Sequence, residues 1–421
     1  MTDAQKTKSL RKKAFDMKKT SSLVLICSFA YFVSYLSRLN YSACVAEIIV
    51  DLGLSKTQTS YAVTGLFITY GIGQVFSGLL GDRFDPRKIL ACGLLMTAVC
   101  NTLMPLMPNV GLMTAVWCVN GVAQAMMFPP MSRIMAANMD AEQFKKACSV
   151  ISMAASAATI IIYIMVPAVI KISSWRLAFY IPAAIAAAAA VIWYRGTAGY
   201  GSGEPVIKQT ETENTRISFG RALIVCGIIP IIVAIIAQGV LSDGLTTWMP
   251  TYIAETFEMA TTKSILSGMI IPVFSIIFVA LSTYIYKFIK SETVTAAVMF
   301  ATGLFFVALL AFTKPGYVPT ILFFSCTIGS MHGLNVMLIS RLPVYFASYG
   351  KVSTLSGALN ACSYIGAAIS SYGIAALSER IGWEKTVLSW VILAAFGTAV
   401  CVAASFIWKR YEKKYLADGR R

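Results

Sequence analysis

Apolar residues in this chain fall in twelve long blocks, about 21–46, 59–81, 88–107, 111–137, 147–170, 175–195, 221–254, 262–286, 293–313, 317–341, 353–377 and 384–408. Each is close to or beyond the roughly 20 residues a helix needs to cross a hydrocarbon core. Lipid offers no partner to a backbone N–H or C=O, so blocks of this length predict helices, which satisfy those groups internally. Helix breakers sit in the turns: Pro105 to Asn109, Lys314-Pro315-Gly316 and Ile381-Gly382-Trp383. One long polar stretch, 196–220, is rich in Gly, Thr, Glu and Lys and reads as a flexible linker. It divides the blocks six and six. The predicted fold is an all-α membrane protein of twelve transmembrane helices in two pseudo-symmetric six-helix bundles. The bundles occupy 21–195 and 221–408, flanked by a basic N-terminal segment, 1–20, and a basic tail, 409–421.

Composition strengthens that reading. Hydrophobic residues make up 57% of the 421 positions and charged ones 13%, about half the share usual in soluble domains, and mean hydropathy is +0.71. The formal net charge of +16 would suit a nucleic-acid binder, but its placement argues otherwise. Counted loop by loop, 27 Lys and Arg fall on the side of the termini and 7 on the opposite side, with Arg38 completing the 35. That asymmetry predicts both termini in the cytoplasm of a bacterial inner membrane and removes nucleic acid from the candidates. The first block follows a basic segment as a secretory signal would, but it is too long and eleven more follow, so it reads as a membrane helix. The ten cysteines lie in or at the ends of apolar blocks without CxxC spacing or partner histidines. They read as small hydrophobes, not disulfides or metal ligands.

Chemistry concentrates in a few polar residues inside the blocks. Arg38 lies just past the middle of the first, with no acid within a helical turn. An intramembrane guanidinium is costly and generally faces a water-filled cavity or an anion; the alternative is snorkelling to the headgroups. Gln124 and His332 each stand nine residues before an arginine, Arg133 and Arg341, in the fourth and tenth blocks. That places them at matching depths near mid-membrane, as expected of a carrier with two related halves. Asp243 lies deep in the seventh block, where it suits a cation, a partnership with Arg38, or a proton. His332, the single histidine, is the second proton-coupling candidate or else a helix-packing residue. Glu47 reads as a solvated residue at the end of its block, and Asn360 with Tyr364 either lines the cavity or packs against a neighbouring helix. No phosphate-binding GxxxxGK[ST] loop occurs, and single scattered acids with one histidine supply no catalytic constellation. Neither an ATP-driven pump nor an enzyme is predicted, and no cofactor or metal.

The run Gly78-Leu79-Leu80-Gly81-Asp82-Arg83-Phe84-Asp85-Pro86-Arg87-Lys88 joins the second and third blocks. It resembles the signature of the major facilitator superfamily. Tyr35 to Tyr41, Ala123 to Arg133, Trp175 to Pro182 and Trp248 to Tyr252 narrow the resemblance to the organophosphate:phosphate antiporters, the glycerol-phosphate and hexose-phosphate carriers. The resemblance implies that Arg38 matches one of two phosphate-gripping arginines, that Gln124 matches a cavity glutamine, and that His332 falls near a cavity tyrosine. It also implies a gating latch of Asp82, Arg83, Arg133 and Glu142. The departures are informative. The family's second arginine falls on Ser242, beside Asp243, its cavity lysine on Gln74, and its cavity histidine near Ala155. With one cation lost and an acid added, a singly charged carboxylate or a zwitterion fits better than a phosphate ester.

The resulting expectation is a monomeric secondary transporter that moves a small organic anion (a carboxylate, sugar acid or phosphate ester) by alternating access. Its substrate-binding candidates are Arg38, Gln74, Gln124, Asp243 and His332. A proton or a phosphate counter-ion would couple the cycle. A membrane-embedded sensor of the same fold, binding without net flux, is the alternative.

Overall fold

The structure, a computed structural model, describes residues 3–201, 218–349 and 352–416. Most of the expected linker, 202–217, therefore lies outside the described residues. Among those described, every regular element is helical. The first seven helices are α1 (Asp3–Leu52), α2 (Lys56–Arg83), α3 (Pro86–Leu103), α4 (Val110–Ala125), α5 (Phe128–Asn138), α6 (Ala141–Ile172) and α7 (Leu177–Gly196). The rest are α8 (Phe219–Val225), α9 (Ile228–Thr256), α10 (Thr261–Ser267), α11 (Ile271–Ile289), α12 (Glu292–Thr313), α13 (Tyr317–Asn335) and α14 (Val352–Tyr411).

Ten stretches are long and apolar enough to span a bilayer by length and composition. The last of them, Thr354–Lys414, holds two crossings, because Gly382 breaks α14 with φ +76° and ψ 168°, a backbone region open almost only to glycine. α2 adds the twelfth crossing: its 28 residues carry Lys56, Gln58, Gln74, Asp82 and Arg83, which dilute its hydropathy without shortening it. Local signals set the helix starts. Asp85 caps α3 by accepting from the Arg87 N–H at 3.0 Å with Pro86 in the first turn. Asn109 caps α4, and Asp140 with Gln143 forms a capping box on α6.

Several blocks read as single helices are interrupted. The fourth divides into α4 and α5 at Met126–Met127, where Pro129 and Pro130 lack the N–H groups that would continue the ladder. The seventh divides into α8 and α9 at Gly227, whose φ is +79°. The tenth leaves α13 through a π-helical turn over Val336–Arg341, ahead of Pro343. The missing N–H of Pro343 would orphan the Ile339 carbonyl, and the Ser356 hydroxyl supplies the donor at 2.7 Å.

Helices α1–α7 pack mainly on one another, and α8–α14 do the same. Glycines set the closest crossings. A Cβ on Gly121 of α4 would stand 2.5 Å from the Leu66 carbonyl oxygen of α2, and one on Gly329 of α13 would stand 2.9 Å from that of Phe274 in α11. Gly121 precedes Arg133 by the same interval as Gly329 precedes Arg341, so the two halves repeat this contact in register. Around the outside, Leu25, Ile172, Ile224, Phe288, Phe312 and Phe406 are exposed. Large apolar side chains facing outward from so many helices form a lipid-facing belt.

Candidate functional site

Arg38 is placed by a buried polar lattice that its own helix shares with three neighbours. The carbonyl of Ser37 accepts from Asn101 of α3 at 3.0 Å and from Asn120 of α4 at 3.3 Å. Asn40, one helical step beyond, donates to the Asn101 side chain at 2.7 Å and to the Ala178 carbonyl of α7 at 3.1 Å. All three asparagines are fully buried. Apart from the Asn120 Oδ1, which has no partner, the lattice is paired through these bonds, and it fixes the rotation of α1 and the direction of Arg38. The guanidinium carbon lies 4.5 Å from the ring centre of Tyr35 and 5.2 Å from that of Tyr70, within cation–π range. Its Nε is buried without a hydrogen-bond partner.

Arg38 opens onto a narrow cavity, in which the centre of a water-sized sphere can range over about 30 Å³. Its walls are Leu39, Ser42, Val63, Leu66, Phe67 and Trp117 from the first half, and Asp243, Thr246 and Thr247 from α9 in the second. The cavity therefore brings together the two charged residues singled out in the sequence. They do not pair: among the described residues no ion pair within 4 Å joins them. Ser242, which takes the place of the expected second arginine, is 2% exposed; Thr246 donates to its carbonyl at 2.7 Å.

Gln74 serves the seam between the halves. It donates to the Tyr70 hydroxyl at 2.7 Å and accepts from Asn360 of α14 at 3.3 Å. Tyr364, one turn after Asn360, meets Tyr70 edge-on with ring centres 4.5 Å apart and stacks on Phe67 at 6.1 Å. Asn360 and Tyr364 thus pack across the two halves, and Tyr364 adds a ring near Arg38. Gln124 is 2% exposed, accepting from Ser34 and donating to Thr97 at 3.4 Å; its amide is engaged inside the first half. His332 is half-buried and its Nδ1 pairs with the Ser275 hydroxyl of α11 at 3.1 Å. It is not among the residues walling the Arg38 cavity.

Of the four latch residues, the side chains of Asp82 and Arg83 lie outside the described residues. Arg133 is half-buried, and Glu142 pairs at 2.7 Å with Lys146 of its own helix, both largely exposed. Next to this loop the Asp85 carboxyl is held below the usual carboxylate range, chiefly by its bond to the Arg87 guanidinium, at 2.9 Å between Nη2 and Oδ2.

The opposite end of the bundle, away from the termini, is closed by contacts between halves. Lys56 pairs with Glu255 at 2.7 Å and stands 5.0 Å over the Trp383 ring. The Thr57 N–H and hydroxyl donate to Glu379, and Tyr61 stacks on Tyr372. Glu47, read from sequence as solvated, instead accepts from Thr261 of α10; its position at the helix end places it against the other half, which sequence could not show. Tyr35, Tyr70 and the asparagine lattice were not singled out from the sequence for Arg38. A signal existed: Tyr31, Tyr35 and Arg38 follow helical spacing on one face.

The Major Facilitator Superfamily model matches residues 27–371. The chain is 25% identical over 374 residues to the Bacillus subtilis glycerol-3-phosphate transporter, covering 83% of this chain and 84% of that protein. It is 30% identical over 157 residues to a probable hexose phosphate transport protein of Chlamydia muridarum. That match spans 37% of this chain and about a third (34%) of the relative's length. In fold the chain is similar to a bacterial homolog of the human lysosomal transporter Spinster, solved in an inward-facing, unoccupied conformation. The TM-score is 0.74 at 12% identity, covering 93% of this chain and 98% of that one. A family match spanning this much of a twelve-crossing helical bundle places the chain, an integral membrane protein, in the Major Facilitator Superfamily of transporters, where it resembles the organophosphate:phosphate antiporters.

Proposed function

We propose that this protein is a secondary transporter of small organic molecules with an anionic head group (a carboxylate, sugar acid or phosphate ester) that grips the head with Arg38. The observation that carries the reading is the buried Arg38, aimed into a cavity between the halves with its Nε unpartnered. A guanidinium presents a planar fork that matches a carboxylate or phosphate edge, and such an edge would give the buried Nε an acceptor. Glycerol-3-phosphate and hexose phosphate carriers among the relatives support an anionic head. The loss of the second arginine to Ser242 favours a singly charged one. Asp243 or exchange for a counter-ion would couple the cycle.

The excess of Lys and Arg on the side of the termini supports both termini in the cytoplasm, and the bacterial relatives support a bacterial inner membrane. The end closed by Lys56, Glu255, Thr57 and Glu379 then faces outward. Rocking of the halves would carry the Arg38 site from one face to the other. Proteoliposomes loaded with a panel of labelled carboxylates, sugar acids and phosphate esters test the reading. Net flux of at least one of them that depends on Arg38 supports it. Binding with no flux would make the protein a receptor, and no Arg38-dependent binding of any anion would refute it.

A further inference from the structure

We propose that the cargo is a zwitterion, its anionic head on Arg38 and a cationic group on Asp243. The inference rests on the transport reading above and specifies the other end of the same cargo. The two side chains come from different halves, α1 and α9, and wall one cavity. Their charges act on each other across the cavity, but no ion pair within 4 Å joins them, and Arg38 Nε has no partner. Among the described residues Asp243 takes part in no hydrogen bond and no ion pair. The other walls carry no charge; they are the hydroxyls of Ser42, Thr246 and Thr247 and apolar side chains.

The cavity is therefore neutral overall, with two separated charges. A simple monoanion on Arg38 would leave one uncompensated negative charge at Asp243 in surroundings that solvate it poorly. A zwitterion leaves the site neutral and gives each charge an opposite neighbour. Phe67 and Trp117 line the same space, and aromatic faces attract an ammonium further. Such a cargo also ties α1 to α9 across the cavity, drawing the halves together only when it is bound. A proton on Asp243 would give a plain anion the same neutrality, and that is the rival outcome of the test.

The test uses three pairs of probes, each differing in the ammonium group: β-alanine with propionate, taurine with ethanesulfonate, and 2-aminoethylphosphonate with ethylphosphonate. Thermal shift and direct binding are measured on the purified full-length chain at neutral pH. In at least one pair the amino member should raise Tm and bind about tenfold or more tighter than its partner, the worth of one charge-assisted hydrogen bond. Asp243→Asn, nearly the same size, should bind both members of that pair alike, and its elution on size exclusion reports that it folds. Equal binding of the members, a preference that survives Asp243→Asn, or no stabilisation by any amino member overturns the zwitterion. The first two results leave the anionic head on Arg38 standing, because that reading is decided separately by whether Arg38→Ala removes binding and flux of the anion panel.

Discussion

Replacing Lys56 by alanine should open the end of the bundle that lies away from the termini. Lys56 is the one cation in the described seam there that bonds a carboxylate of the other half. Its ammonium pairs with Glu255 at 2.7 Å, and the two side chains are 13% and 40% exposed. Partial exposure screens the pair, so about 1 kcal/mol is a fair value. The same ammonium stands 5.0 Å over Trp383, a contact worth about 0.5 kcal/mol at a wetted site. The Trp383 N–H also donates to Glu255 at 2.7 Å, but both belong to the second half, so that bond survives opening and does not count. The loss of about 1.5 kcal/mol shifts the equilibrium between closed and open ends about tenfold. Spin labels at the exposed Pro108 and Lys385, in a chain whose exposed Cys92 is replaced, would report the separation of the halves at this end. The variant should gain a longer-distance population, and Lys56→Arg should restore most of the closed form. An unchanged distance distribution in Lys56→Ala would refute the assignment of this seam as a gate.

Four further outcomes follow from the same geometry. Arg38→Ala should abolish uptake while the protein still inserts and elutes as a single species, and Arg38→Lys should recover little, because a point charge cannot reproduce the guanidinium fork; full uptake by the Ala variant would exclude Arg38 from the site. Gly239→Val places a Cβ about where the Ser363 carbonyl oxygen already lies, 2.1 Å away, and should lower stability by about 3 kcal/mol, read as a clear fall in Tm. Asn101→Leu removes a donor to Ser37 and an acceptor of Asn40, about 1–2 kcal/mol at the modest value of hydrogen bonds in membranes; it should weaken cargo binding along with Tm, since the lattice aims Arg38. The Asp85 carboxyl is held below its ordinary value of about 3.9, so its contribution is present above that value and is lost as pH falls further. The Tm of the native chain should exceed that of Asp85→Asn at neutral pH, and the gap should narrow as pH falls below the ordinary carboxylate value.

The sequence by itself determined the solvent, the element type and the number of crossings. Twenty-residue apolar blocks admit no other backbone solution in lipid, and breakers such as Gly382 and Pro315 lie where the chain turns. It also marked Arg38 and Asp243, because a charge inside an apolar block stands out whatever the fold. The resemblance between halves was legible in the spacing of Gln124 and His332 before Arg133 and Arg341. Helix interruptions were harder: hydropathy runs on through Met126–Met127 and through Gly227, while hydrogen-bond supply and backbone angle decide the break. Only the tertiary structure decided what each polar residue faces. Gln124 and His332 share a depth, yet one is engaged by Ser34 and Thr97 and the other by Ser275. Gln74 and Asn360, 286 positions apart, meet at a seam between halves, and Glu47 finds Thr261. Spacing along a helix fixes depth and face, but which neighbour occupies that face depends on how helices distant in sequence pack. That packing brings Arg38 and Asp243 from different halves into the walls of one cavity with no ion pair between them.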